Sequence, residues 1–171
     1  MEFLMSHVAY LSLGSNLGDR AASLQEALHR LRSSGEIMAT SSLYETKPLE
    51  VLDQPWFLNA VAALRTEFAP DELLRRVLLI EQSMGRVRTQ PKGPRTIDID
   101  ILLYDDQVIN LPGLNIPHPG IHQRLFVLAP LAEIAPKLKH PTLHRTVREL
   151  RDSLTDAQQV RALTAPWASS G

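Results

Sequence analysis

Cysteine is absent from the 171 residues, which excludes disulfides and thiolate chemistry. No apolar run approaches the about 18 residues of a membrane span. The first residues, Met-Glu-Phe-Leu-Met-Ser-His, lack the basic start of a secretory signal. A cytoplasmic protein is expected. Excess charge is missing too: the formal net charge is -1, so nothing global attracts nucleic acid or an anionic membrane. Aromatic residues make up 5% of the chain, and no strand carries the aromatic cluster of an RNA-recognition module. The turn Gly14-Ser-Asn-Leu-Gly-Asp19 is neither a Walker loop, which needs a lysine after its last glycine, nor Gly-x-Gly-x-x-Gly.

What is present is an ordinary globular composition, 44% hydrophobic and 22% charged, in a length that suits one domain. The chain is organised around Gly85–Tyr104. From Gly85 to Arg95 this stretch carries Arg86, Arg88, Lys92 and Arg95, no anion, two glycines and two prolines. That composition holds neither helix nor ladder and reads as a basic loop. From Thr96 onward the sequence is β-branched and apolar, broken only by Asp98 and Asp100. Strand side chains alternate, so Ile97, Ile99 and Ile101 point one way and the two aspartates the other.

A bare Asp-x-Asp is more often an edge strand with solvated acids than a site. The adjoining basic loop changes that balance. Two carboxylates on one strand face repel unless cations lie between them. Hard divalent cations are held by carboxylates together with substrate phosphates. Cations for a polyphosphate beside carboxylates for its metals is the arrangement phosphoryl transfer uses.

The remaining pattern supplies a frame. Val8–Leu13 reads as a strand, followed by a helix capped by Asp19 and reaching about Ser34. Glu36–Tyr44 reads as one strand, 45–55 as a loop and Trp56–Glu67 as a strand. Pro70–Met84 is a helix opened by proline and two acids. Within its apolar stripe stands Glu81, which needs either an arginine or a ligand as partner. Asp105-Asp106 reads as a hairpin turn, Asn115–Gly120 as a loop, Phe126–Ile134 as a helix interrupted by Pro130, and Thr146–Leu154 as a last helix. Residues 1–164 form the expected single domain, and 165–171 a loose tail. The order of elements predicts an α+β fold of the ferredoxin-like class: an antiparallel sheet with two helices on one face, plus C-terminal additions.

With these residues located, the chain resembles the 6-hydroxymethyl-7,8-dihydropterin pyrophosphokinases of folate synthesis. The resemblance is carried by Gly93-Pro-Arg-Thr-Ile-Asp-Ile-Asp-Ile-Leu102, preceded by Glu81 and Gly85-Arg-Val-Arg88. It is supported by Gly14-Ser-Asn-Leu-Gly18, Asp53-Gln-Pro55, Phe57-Leu-Asn-Ala60, and Ile116-Pro-His118 with Arg124 and Phe126. It covers nearly everything up to about residue 150. The resemblance implies transfer of diphosphate from ATP to a reduced pterin, leaving AMP, with no obligatory protein partner evident.

By the same resemblance, Asp98 and Asp100 hold two Mg²⁺ ions, and Arg86 and Arg95 grip the phosphates as catalytic groups. Glu81, Arg88, Ile101, His118 and Arg124 complete the ATP site. The pterin stacks between Phe57 and Phe126, with Gly14, Thr46, Leu49 and Asn59 at its polar edge. Lys92, Lys47, Phe57 and Pro119 depart from the common family residues at their positions. No residue stands out as a general base. The rivals are a two-metal nucleotidyltransferase and a ferredoxin-like RNA-binding module.

Overall fold

A computed structural model describes residues 5–47, 56–85, 96–154, 160–163 and 167. The elements are β1 (His7–Ser15), α1 (Arg20–Leu31), β2 (Glu36–Thr40), β3 (Tyr44–Thr46), β4 (Phe57–Thr66), α2 (Pro70–Ser83), β5 (Asp98–Tyr104), β6 (Ile109–Leu111), β7 (Leu114–Ile116), a 3₁₀ turn at Ile121–Gln123, α3 (Leu125–Ile134), α4 (Val147–Asp152) and β8 (Val160–Ala162). The fold is mixed α and β around an antiparallel sheet. Its strand order is β5-β1-β4-β3-β8, with β2 sharing β4's edge with β3. Strands β6 and β7 form a separate hairpin, in which β7 takes up Asn115 and Ile116 from the stretch expected as the loop Asn115–Gly120.

Alternation along β4 divides the core in two. Leu58, Ala60, Ala62 and Leu64 join Leu11 and Leu13 of β1, the apolar stripe of α1 and Leu73, Val77 and Ile80 of α2. Val61 instead joins Leu103 with Val127, Leu128 and Leu131 of α3 and Val147 and Leu150 of α4. Because strand side chains alternate between faces, the second cluster lies across the sheet from the first. The helices start where local chemistry allows. Asp19 accepts the Ala22 amide at 3.1 Å, Pro70 opens α2, and Thr146 with Glu149 forms a reciprocal capping box before α4.

Several expectations need correction. The single strand expected over 36–44 is divided into β2 and β3. At the break, Ser41 Oγ accepts the Val61 amide at 2.9 Å, so a hydroxyl replaces a rung of the ladder. Pro130 does not interrupt α3, which runs unbroken from Leu125 to Ile134; the proline removes one N–H from the helix without ending it. The tail expected from 165 onward is described only at Trp167, and that residue is not loose. It is 8% exposed within the first core, with its indole N–H donated to the Ser41 carbonyl at 2.9 Å. A boundary at 164 therefore falls short of the core. Asp105-Asp106 is a turn but closes no hairpin, since β5 pairs with β1 and β6 with β7; Asp105 accepts from His7 Nδ1 at 2.6 Å and from the Val8 amide at 2.8 Å.

The turn before α4 depends on a neutral histidine. His140, 6% exposed, accepts the amides of Thr142 and Leu143 at Nδ1, at 3.3 and 3.1 Å. Burial, then the neighbouring His122 and His144, hold its pKa below the ordinary histidine value. The unfolded chain therefore binds the proton more readily than the folded one. This contribution to stability is complete above about pH 6.5 and declines as pH falls through the folded-state pKa. Asparagine can accept the same amides without titrating. His140→Asn should lose less stability than wild type between pH 7.5 and pH 5.5 in urea unfolding; an identical loss in both proteins would refute this role.

Candidate functional site

The register of three neighbouring strands assembles the site. Asp98 pairs with Gly14, which pairs with Asn59 on its other side; Asp100 pairs with Ser12, which pairs with Val61. One strand further, Tyr44 faces Asn59 and Thr46 faces Phe57. Directly opposed residues project from the same face. Asp98, Asp100, Ser12, Asn59, Thr46 and Phe57 therefore share one side of the sheet, the side that carries the second cluster and α3. The carboxylates stand at one end of this surface and the amide, hydroxyl and aromatic ring at the other, with Gly14 between them.

Gly14 is required there by its neighbour. A Cβ at this position would lie 2.9 Å from Asn59 Oδ1, so the amide oxygen occupies the space a side chain would fill. The other end of that amide, Nδ2, donates to Thr46 Oγ1 at 2.7 Å. Asn59 is 5% exposed, and a buried carboxamide left unpaired would cost about 1–3 kcal/mol. Gly14, Asn59 and Thr46 thus form one interlocked unit, with Phe57 half-buried beside it.

A second group approaches the carboxylates from the loop after β7. The His118 amide donates to the Leu102 carbonyl at 2.9 Å, which fastens this loop to β5 just past Asp100. His118 Nδ1 accepts the Gly120 amide at 3.1 Å, so the neutral ring carries its proton on Nε2. Burial lowers its pKa, and Arg124 lowers it further, while Asp98 acts in the opposite sense. Both charges are thus within electrostatic reach of the His118 ring. Arg124 lies close against Gly120, where a Cβ would come within 2.7 Å of its Nε, and its guanidinium carbon is 5.9 Å from the centre of the Phe126 ring. Arg124 also precedes α3, whose N-terminal dipole adds positive potential at the same place.

The side chains of two expected ATP residues are engaged by the protein itself. Ile101 pairs with Leu11 and is buried in the first core, so only its main chain remains for a ligand. Glu81 is 3% exposed, and its carboxylate accepts the Ile99 amide at 2.8 Å. Its partnership with the backbone of β5 gives this buried acid a structural role. Arg86, Arg88, Arg95 and Leu49 lie outside the described residues. Ser12 and Tyr44 were not singled out from sequence; only strand register reveals that they stand opposite Asp100 and Asn59.

Among the described residues no group of three or more histidine, aspartate or glutamate side chains is placed to hold a metal. The carboxylate pair alone offers too few donors to enclose a divalent cation. It suits an ion whose remaining ligands are water and substrate oxygens.

Residues 10–136 match the family model described as 7,8-dihydro-6-hydroxymethylpterin-pyrophosphokinase. The chain is 45% identical over 155 residues to the folic acid synthesis protein fol1 of Schizosaccharomyces pombe, covering 90% of this chain and 21% of that protein. It thus spans about a fifth of the length of this curated relative. It is 41% identical over 159 residues to the 2-amino-4-hydroxy-6-hydroxymethyldihydropteridine pyrophosphokinase of Bacillus subtilis, covering 92% of this chain and 90% of that one. A crystal structure of Plasmodium falciparum HPPK-DHPS with pteroate shares the fold at a TM-score of 0.71 and 20% identity, over 89% of this chain and 43% of that chain. The chain belongs to the 7,8-dihydro-6-hydroxymethylpterin-pyrophosphokinase family.

Proposed function

We propose that this protein transfers diphosphate from ATP to the hydroxymethyl group of 6-hydroxymethyl-7,8-dihydropterin, releasing AMP, as a step of folate synthesis. The observation that carries this reading is the shared face. A carboxylate pair for metal-bound phosphates and an amide–hydroxyl–aromatic group for a flat heterocycle stand on one surface, separated by a single glycine. A planar ring is held well by aromatic faces, with a few fixed polar groups selecting its edge. Phe57 and Phe126 are the aromatic walls in this reading. Thr46, Asn59 and the backbone at Gly14 and Leu49 read the pterin's polar edge.

Asp98 and Asp100 fit magnesium by the chemistry of their oxygens and by their common face. Two such ions, when bound, would offset the charge of the polyphosphate. His118 donates from Nε2 to a phosphate oxygen as a neutral group, and Arg124 contributes the positive charge beside it. Arg86, Arg88 and Arg95 supply further positive charge for the phosphates, with Arg86 and Arg95 as catalytic groups. The main chain at Ile101 contacts the nucleotide. The topology belongs to the ferredoxin-like class, with α1 and α2 on the face behind the site. A cytoplasmic location, where ATP is supplied, completes the reading.

Product analysis tests the reaction. AMP formed one-for-one with a pterin diphosphate is expected from Mg²⁺, ATP and the pterin. ADP would make the protein a simple kinase, and free pyrophosphate would indicate attack at the α-phosphorus.

Four substitutions test the residues. Asp98→Asn and Asp100→Asn should each reduce turnover by at least about a hundredfold, on the scale of losing one oriented electrostatic contact in a transition state. The thermal midpoint should change little, since neither carboxylate is core. Near-normal turnover of either variant in saturating Mg²⁺ would remove it from the metal site. Phe126→Ala should weaken pterin binding by about 1–3 kcal/mol, the range for losing a stacking partner. Equilibrium titration should show a smaller change for ATP alone, and the opposite order would move the pterin pocket elsewhere. Gly14→Ala should raise the KM for pterin while sparing that for ATP, because the new methyl group must displace the Asn59 amide.

A further inference from the structure

Behind the Thr46–Phe57 pair, on the opposite face of the sheet, lies a charged cluster that the proposed reaction does not use. Glu45 precedes Thr46, so its side chain points away from the site. Its carboxylate accepts from Arg161 Nη2 at 2.6 Å and from Arg20 Nη2 at 3.1 Å. Arg20 Nη1 also donates to the Trp56 carbonyl at 2.9 Å, and the Arg161 guanidinium carbon lies 5.9 Å from the centre of a Trp56 ring. The cluster therefore ties together the start of α1, β3, the entry to β4, and β8. These contacts hold the carboxyl of Glu45 below the ordinary carboxylate range, with Arg161 the largest cause.

The position of this cluster matters because β3 is only three residues long. Thr46 and Phe57 are cross-strand partners, and each adjoins a member of the cluster: Glu45 before Thr46, Trp56 before Phe57. On its other edge β3 pairs with β8, where Glu45 stands directly opposite Arg161 and Thr46 opposite Val160. The same edge is extended by Leu163, whose amide donates to the Leu43 carbonyl at 2.8 Å, and by Trp167 bonded to Ser41. A three-residue strand paired on one side alone would hold its register weakly. Here residues 160–163 and Trp167, which lie beyond the stretch matched by the family model, brace it from the other side.

We propose that Arg161 is a positioning residue for the pterin. Through Glu45 and the β3–β8 pairing it holds Thr46 against Asn59 and Phe57, setting the polar edge of the pocket from behind the sheet. This inference rests on the reading of Thr46, Asn59 and Phe57 as the pterin site. Arg161 touches neither substrate in this arrangement, so its removal should affect one substrate and not the other.

The test is steady-state kinetics on the full chain with both substrates varied. Arg161→Ala should raise the KM for pterin about two- to fivefold, the scale of a partly exposed ion pair. The kcat and the KM for ATP should stay close to wild type. Arg161→Lys, which keeps the charge opposite Glu45, should recover most of the loss. Glu45→Gln should reproduce the Arg161→Ala effect, and the double variant should be no worse than either single one. The Arg161 side chain is 68% exposed, so its replacement is expected to leave a folded protein, which the thermal midpoint checks directly. An unchanged KM for pterin in Arg161→Ala would overturn the proposal. So would equal losses in both KM values and kcat, which would mark a general loss of structure. Wild-type protein that makes AMP with this pterin upholds the site reading whatever Arg161→Ala does. Wild-type protein that makes none removes the site reading and this proposal together.

Discussion

The site depends on the register of β1 against its two neighbours. β1 lies between β4 and β5, and Gly14 and Ser12 fix which residues of those strands stand beside each other. A slip of one residue in a strand exchanges its two faces. Such a slip of β5 would bury Asp98 and Asp100 among Leu24, Leu28 and Val77 and expose Ile97, Ile99 and Ile101. The same slip of β4 would turn Phe57 and Asn59 towards the first core and remove four aliphatic residues from it. Packing of α1 and α2 against the apolar face thus enforces the geometry of the polar face. The chemistry on one side is specified by the hydrophobic pattern on the other.

Two further constraints sharpen the placement. Gly14 and Asn59 are mutually exclusive with a larger side chain at position 14, because the amide oxygen already fills that space. Glu81 covers the Ile99 amide with its carboxylate, which fixes α2 against β5 beside the paired aspartates. Each is a buried polar group with a definite partner. Aliphatic packing tolerates small shifts, whereas a hydrogen bond of 2.7–2.8 Å does not. The polar contacts therefore set distances that the hydrophobic core alone would leave loose.

Much of this was legible in the sequence because it rests on period and capping. The alternation in Thr96–Tyr104 placed both aspartates on one face, and Asp19, Pro70 and Thr146 marked helix starts where the structure has them. What could not be read depended on partners distant in the chain. The hydroxyl of Ser41 divides a strand only because Val61 lies opposite it. Trp167 looks like part of a polar tail until Ser41 and the core are placed beside it. Pro130 appeared to break a helix, but Leu128, Leu131 and Ala132 pack firmly enough around it to hold α3 together. For Glu81 the sequence asked for a partner, an arginine or a ligand, and strand register adds one that it could not show, the Ile99 amide. At Ile101 the side chain belongs to the core, a placement that alternation along the strand already implied.

The distribution of charge around the carboxylates follows a related logic. His118 is half-buried beside Arg124, and both partial burial and that guanidinium favour its neutral form. A second full cation there would have to be taken out of water next to the first, at a cost that their mutual repulsion increases. The neutral ring avoids that cost and keeps one donor, because the Gly120 amide occupies Nδ1 and leaves the proton on Nε2. Protonation would break the Gly120 bond, since Nδ1 would become a donor facing another donor. The same arrangement recurs at His140, where two amides occupy Nδ1. In each case a tight turn stores the tautomer in its backbone. At His118 the loop thereby presents a directed hydrogen-bond donor near Asp98, and among the described residues Arg124 carries the charge beside it.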